Sequence, residues 1–507
     1  MYHGNYLAEK LRAASLGAEN RQFLRNHQTG EEITYEAFFA NAERMAQVLV
    51  GHGVEPNDRV AVQAPKTVAM LELYVATVLA GGVFLPLNPA YTAAEITYFL
   101  NDAEPRVLVC DPTRERELSP LAKQAGVAEV LTIGADESGT LVDLRDGVDT
   151  GFTAVSRKPD DLAAILYTSG TTGRSKGAML THQALASNSE TLKDAWQFSA
   201  DDVLIHALPI FHTHGLFVAT NTTLMAGSSC IFMPSFDADE ILGYMPKATV
   251  LMGVPTFYVR LLKSEDLSKA AANMRLFVSG SAPLLAETHD RWREMTGHAI
   301  LERYGMTETN MNTSNPYQGD RRAGTVGFPL PGIELLVTDP ATGVPLPQGE
   351  TGVLEVRGPN VFAGYWNMPE KTAEELRGNG FFITGDLGHM DKDGYVHIVG
   401  RQKDLIISGG YNIYPKEIEL LIDELDGINE CAVIGVPHTD FGEAVVAVVV
   451  TQNGADVSTT DIMASIKGNL ARFKQPKHIE FVNSLPRNAM GKVQKNVLRE
   501  DYDAIFK

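Results

Sequence analysis

The sequence predicts an α/β chain. It expects a large N-terminal domain of doubly wound sheets with a small β subdomain, followed by a smaller α+β domain. Three observations predict this. Short apolar runs alternate with helix-length stretches over most of the chain, the βαβ rhythm of mostly parallel sheets. The stretches "AGTVGFPLPGIELLVTD" and "TGVLEVRGP" then replace that rhythm with short strands and Gly/Pro turns. After "DGYVHIVGRQKDLIISGG" the pattern restarts as helix, strand, strand.

In chain order, "DRVAVQAP" reads as a strand, "TVAMLELYVATVLAG" as a helix and "GVFLPLNP" as a strand. "EITYFLNDA" is helical, and "RVLVC" and "DDLAAILY" are buried strands. Near the end, "YPKEIELLIDEL" reads as a helix, with "ECAVIGVP" and "EAVVAVVV" as strands. These readings divide the chain into residues 1–402, with the β subdomain at about 320–402, and residues 403–507. The last unit is roughly one hundred residues, an ordinary domain size.

A chain of 507 residues is too long for one core. Its 44% apolar content excludes disorder. The net charge of -20 argues against a nucleic-acid surface or an anionic membrane as partner, but not against a small anion in a local basic pocket. Cys110, Cys230 and Cys431 show no zinc or disulfide spacing. Together with an N-terminus lacking a signal-like run and a C-terminus lacking a tag, this leads to an expected cytoplasmic location.

The stretch "YTSGTTGRSKGAML" (Tyr167–Leu180) concentrates glycines, hydroxyls and two cations. Glycines let backbone N–H groups turn toward an anion, and Thr168, Ser169, Thr171 and Thr172 add donors around Gly170 and Gly173. Lys176 adds charge. The spacing is neither that of a P-loop nor a Rossmann fingerprint, and a plain surface loop has the same composition. Its companions decide: "ERYGMTETN", "FFITGDLG" around Asp386, "GRQKDLIISGG" with Arg401, and "LPRNAMGKVQK" with Lys492. Each alone fits a loop or cap.

In this order the motifs resemble the adenylate-forming superfamily of acyl-CoA synthetases, adenylation domains and luciferases, over nearly the whole chain. "ALPIFHTHGLFV", "VLMGVPTFYVRLL", "SGSAPLL" and "ERYGMTETNMNTSNPY" resemble the malonate-activating branch most. The resemblance implies ATP-dependent acyl-adenylate formation, then transfer to coenzyme A, with AMP and pyrophosphate released. Malonate is the implied acid, with methylmalonate close behind. Medium-chain or aromatic acid ligases, and a stand-alone enzyme loading a carrier protein, are the alternatives.

The resemblance also implies roles. The glycine loop and Lys176 would meet the β- and γ-phosphates, and Tyr304 would stack on adenine beside Gly280, Ser281 and Ala282. Thr307 would bond the α-phosphate and Glu308 would ligate Mg²⁺, a hard cation suited to one carboxylate and phosphates. Asp386 would take the ribose hydroxyls, with Arg401 beside it. Lys492 would bridge carboxylate and α-phosphate as a mobile point charge. It would leave when the C-terminal domain swings about a hinge at Lys403 and brings Ser408, Gly409 and Gly410 to the pantetheine tunnel. His212 would gate the acyl pocket. A metal role for His206, His212 and His214 is disfavoured, because no Cys or acidic partner lies nearby.

For the substrate, Arg260 is expected to enter the acyl pocket and clamp a distal carboxylate, with Ser279 as a further donor. Ser281 departs from the glycine that many relatives carry. The basic run "KGNLARFKQPKH" offers Arg472, Lys474 and Lys477 to the 3′-phosphate of coenzyme A. A lysine acetyltransferase acting on Lys492 is an expected regulatory partner.

Overall fold

A computed structural model describes residues 2–168, 175–409, 411–467, 469–488 and 492–506. It contains a six-stranded and a nine-stranded sheet, a four-stranded β subdomain and a five-stranded C-terminal sheet. The six-stranded sheet runs Glu129–Thr132, Val107–Cys110, Arg59–Gln63, Val83–Pro86, Leu162–Thr168, Lys176–Thr181. Its pairings are parallel except the last. Thr168 therefore lies opposite Lys176 in an antiparallel pair. The strands on either side of the glycine loop are thus an antiparallel pair, and the helix His182–Ala195 begins only after the second of them. Thr181 caps that helix, accepting from the Ala184 N–H at 3.0 Å.

The centre of the nine-stranded sheet positions the site. Strands Val203–His206, Val250–Gly253, Leu276–Ser279 and Leu301–Met306 are parallel, with Gly253 opposite Ser279 and Ser279 opposite Glu302. Such sheets bind ligands beyond the carboxyl ends of their strands. His206, Ser279, Gly280, Tyr304 and Thr307 lie at or just past those ends. The helix Val68–Leu79 is buried along its whole length and fills the main core, as an all-round apolar helix must.

The β subdomain pairs Glu334–Thr338, Gly352–Arg357, Phe382–Met390 and Val396–Arg401 antiparallel. Asp386 lies inside the third of these strands, not in a turn, and faces Arg401 across the pair. A helical turn at Gln402–Asp404 leads to the C-terminal sheet, whose long strands Ile428–His438 and Gly442–Thr451 carry a separate core. Cys110, Cys230 and Cys431 are free and buried. Among the described residues no helix is long and apolar enough to cross a membrane.

Candidate active site

Arg303 is the deepest charge in the cleft. Strand pleating sends it to the opposite face from Glu302 and Tyr304. It is 3% exposed, and its Nε and Nη2 have no hydrogen-bond partner. It forms no ion pair among the described residues, and burial opposes its charge. Ser279 Oγ and His214 Nε2 are also buried without partners. Buried polar groups are ordinarily satisfied, and an uncompensated buried guanidinium is costly. This set is complementary to an anion. Gly280 makes room for it, having no side chain beside the guanidinium. Ser281 adopts φ +68°, which explains the glycine common at that position. Its hydroxyl lies 3.3 Å from His214 Nδ1.

The second group is Tyr304, Asp386 and Arg401. Tyr304 Oη donates to Asp386 Oδ2 at 2.5 Å, and Arg401 Nε meets Asp386 Oδ1 at 2.6 Å. Asp386 holds the Arg401 guanidinium above its ordinary pKa. Both carboxylate oxygens keep lone pairs for further donors.

The third group surrounds Glu308. Thr307 and Glu308 fall in the tight turn between strands Leu301–Met306 and Asn310–Ser314. Glu308 is buried, and burial pushes its carboxyl up. Tyr365 Oη lies 3.0 Å from Glu308 Oε1 and 2.6 Å from Glu375 Oε2. Lys176 Nζ meets both Glu375 oxygens at 3.3 Å and sits 4.1 Å from the Tyr365 ring centroid. Burial opposes the Glu375 charge, yet Tyr365, Lys371 and Lys176 outweigh it and hold its pKa below the usual range. A single buried carboxylate beside a hydroxyl is a hard donor set, which fits Mg²⁺.

Lys492 reaches this cleft from the C-terminal domain. It keeps a solvent-exposed surface, yet protein crowds it. Burial and then the Arg401 charge lower its pKa, while Asp386 and Glu308 oppose them. Burial, Lys492 and Arg303 together lower the His212 pKa to about 3, so its ring is neutral. His212 Nδ1 accepts from the His214 N–H at 3.2 Å. His206 instead bonds Lys66 and the Gly215 carbonyl.

Several expected residues are exposed or paired within their own domain. On the helix Pro255–Leu261 the buried face is Phe257, Tyr258 and Leu261, so Arg260 falls on the exposed side, 5.5 Å from the Phe236 ring centroid. Lys474 is taken up by Glu417 at 2.7 Å, whereas Arg472 and Lys477 are exposed. Ser408 pairs within the C-terminal sheet, and Gly409 turns at φ +58°. Lys403 is exposed in the turn between the domains, next to Asp404, which Arg499 binds at 2.6 Å. Thr168 and Ala282 border the cleft elements, whereas Ser169, Gly170, Thr171, Thr172, Gly173 and Gly410 lie outside the described residues. The sequence reading missed Arg303, Tyr365 and Glu375, and it weighed His214 only as a disfavoured metal ligand. One signal was available: a lone arginine in a central strand, next to the quoted Tyr304.

Fold and site together define an enzyme that activates an acid with a nucleotide, built from a large N-terminal and a smaller C-terminal domain. The chain belongs to the AMP-binding enzyme family, whose model matches residues 11–366, with the AMP-binding enzyme C-terminal domain at residues 417–492. It is 34% identical to the malonate–CoA ligase of Arabidopsis thaliana, over 89% of this chain and 79% of that protein. The crystal structure of ATP-bound MatB from Rhodopseudomonas palustris shares 58% identity over 99% of this chain and 100% of that one, with a TM-score of 0.97. The apo crystal structure of the same protein scores 0.86 at the same identity and coverage.

Proposed function

We propose that this chain is an ATP-dependent malonate–CoA ligase that also accepts methylmalonate. One observation carries the choice of acid: the buried Arg303 guanidinium with unpartnered N–H groups, beside unpartnered Ser279 and His214. A distal carboxylate would satisfy all three. Lys492 lies within electrostatic reach of Arg303, so a short diacid can present one carboxylate to each. The likeness to a malonate–CoA ligase and to MatB supports the same reading.

The residues then take these roles. Asp386 and Arg401 hold the ribose, Tyr304 and the Gly280–Ala282 backbone hold adenine, and Lys176 with the glycine-rich segment holds the β- and γ-phosphates. Glu308 would hold Mg²⁺, which supplies charge neutralisation at the phosphates. Arg303 orients the acid so that its free carboxylate oxygen attacks the α-phosphorus in line. The bond to the β-phosphate oxygen breaks and pyrophosphate leaves with the electron pair. Thr307 and Lys492 stabilise the charge on the α-phosphoryl oxygens. The domain division at Gln402–Lys403 and the hinge at Lys403 belong to this proposal. The hinge delivers Ser408–Gly410 for the second step, in which the thiol of coenzyme A displaces AMP past His212. Arg472 and Lys477 remain the basic groups offered to the coenzyme A phosphate. The exposed Lys492 is accessible to an acetyltransferase, which would remove its charge. Three free buried cysteines suit a cytoplasmic, reducing setting.

The test is AMP release with malonate, methylmalonate, succinate, acetate, octanoate and benzoate, using free coenzyme A or a holo carrier protein as acceptor. Malonate leading with free coenzyme A supports the assignment. Turnover led by octanoate or benzoate, or seen only with the carrier protein, replaces it.

A further inference from the structure

The reaction as described makes no use of Glu375, yet this residue makes the densest set of polar contacts at the phosphate end of the cleft. It closes the helix Pro369–Glu375. Its carboxylate meets Lys176 Nζ through both oxygens at 3.3 Å, Lys371 Nζ at 2.9 Å and Tyr365 Oη at 2.6 Å. The side chains of Lys176 and Glu375 are 12% and 23% exposed, so solvent screens the pair only partly. Glu375 is the carboxylate paired with Lys176 among the described residues, and Lys176 is the cation assigned to the β- and γ-phosphates.

We propose that Glu375 is a placeholder for the polyphosphate: it holds Lys176 across the Tyr365 ring in the resting site and competes with pyrophosphate for that ammonium group. The inference rests on the reading of Lys176 as a phosphate contact. A phosphate that engages Lys176 must take the ammonium from Glu375 or share it. In either case the phosphate lies near a fixed negative charge in a partly dry site, where like charges repel far more than in water. Lys371 makes the exchange possible. It stays on Glu375 when Lys176 turns to phosphate, so no carboxylate is left buried and unpaired.

The repulsion acts on the β- and γ-phosphates and spares AMP, whose single phosphate belongs with Thr307 and Lys492. Pyrophosphate is therefore held weakly after the α-phosphorus bond breaks, and its departure favours the forward reaction. ATP keeps its affinity because adenine and ribose contacts add to the phosphate contacts. The same carboxylate orders Lys176 before ATP arrives, which lowers the conformational cost of binding.

The experiment is calorimetric titration of the full chain with pyrophosphate and with AMP in metal-free buffer, for wild type, Glu375→Gln, Glu375→Ala and Glu375→Asp. Thermal unfolding of each variant identifies folded protein. Both neutral variants are expected to bind pyrophosphate about tenfold more tightly than wild type. AMP affinity is expected to stay unchanged, and Glu375→Asp to stay close to wild type. Unchanged or weaker pyrophosphate binding in the folded neutral variants would overturn the inference, as would an equal gain for AMP. Wild-type protein that binds neither AMP nor pyrophosphate would instead overturn the nucleotide-site reading itself. The Gln and Ala variants test the same point independently, so loss of one to misfolding leaves the other decisive.

Discussion

A Cβ atom on Gly280 would stand 2.4 Å from Cζ of Arg303. The glycine is thus a condition for the arginine, because a methyl group there drives the guanidinium out of its pocket. Gly280→Ala is expected to lower kcat/KM for malonate by about a hundredfold, since small displacements of a binding group carry large kinetic costs. Activity with acetate, which has no distal carboxylate, should fall much less. Steady-state AMP release with the two acids checks this. An equal loss for both would place the damage in the nucleotide site.

Arg303 and Arg260 make opposite predictions. On the proposed reading Arg303→Ala removes the buried partner of the distal carboxylate and should lower kcat/KM for malonate by about a thousandfold, within the range for truncating one partner of a buried charge pair. Arg260→Ala should leave kcat/KM within about twofold, because surface substitutions away from special features change little. Kinetics of the two variants side by side decide which arginine reads the acid. A selective malonate defect in Arg260→Ala alone would restore the sequence-based assignment.

Much of the fold was legible because its signals are local. The buried run Val68–Leu79, the apolar strands and the Thr181 cap each follow from residues close in sequence. The motif residues Tyr304, Glu308, Asp386 and Arg401 were legible as a set, and they converge on the cleft. What escaped depended on long-range packing. The antiparallel pair flanking the glycine loop required a strand, Lys176–Thr181, that is too polar to announce itself. Arg260 and Arg303 are both arginines in partly apolar stretches. Only the facing of one short helix and one strand distinguishes them, and tertiary packing sets that. Glu375 lies far in sequence from Lys176, its partner, so no spacing rule could join them.

Lys492 should give the adenylation step an early alkaline limb. Its pKa is lowered from 10.5, first by burial and then by Arg401. The ammonium form is the active one, so activity falls as pH rises through the lowered value. ATP–pyrophosphate exchange measured against pH should decline below pH 10.5 in wild type. Lys492→Arg, whose guanidinium does not deprotonate in this range, should lose overall rate but keep a flat profile there. A wild-type limb that persists unchanged in the arginine variant would assign the titration to another group.

Glu302 gives the fold itself a pH dependence. Its side chain is 5% exposed, with Oε2 unpartnered and Oε1 accepting from the Leu284 N–H at 3.4 Å. Burial raises its pKa from 4.5 to about 8, against the opposing charges of Lys416 and Arg303. Between those two values the folded protein keeps the proton and the unfolded chain releases it. The unfolded state then binds fewer protons, so stability falls as pH rises through that window. Glu302→Gln keeps the shape and the acceptor for Leu284 but cannot ionise. Its melting temperature is expected to match wild type near pH 5 and to exceed it by several degrees at pH 8. Calorimetric unfolding at the two pH values checks this. A gap that stays constant with pH would mean that Glu302 is already ionised in the folded protein, held by Lys416 from the C-terminal domain.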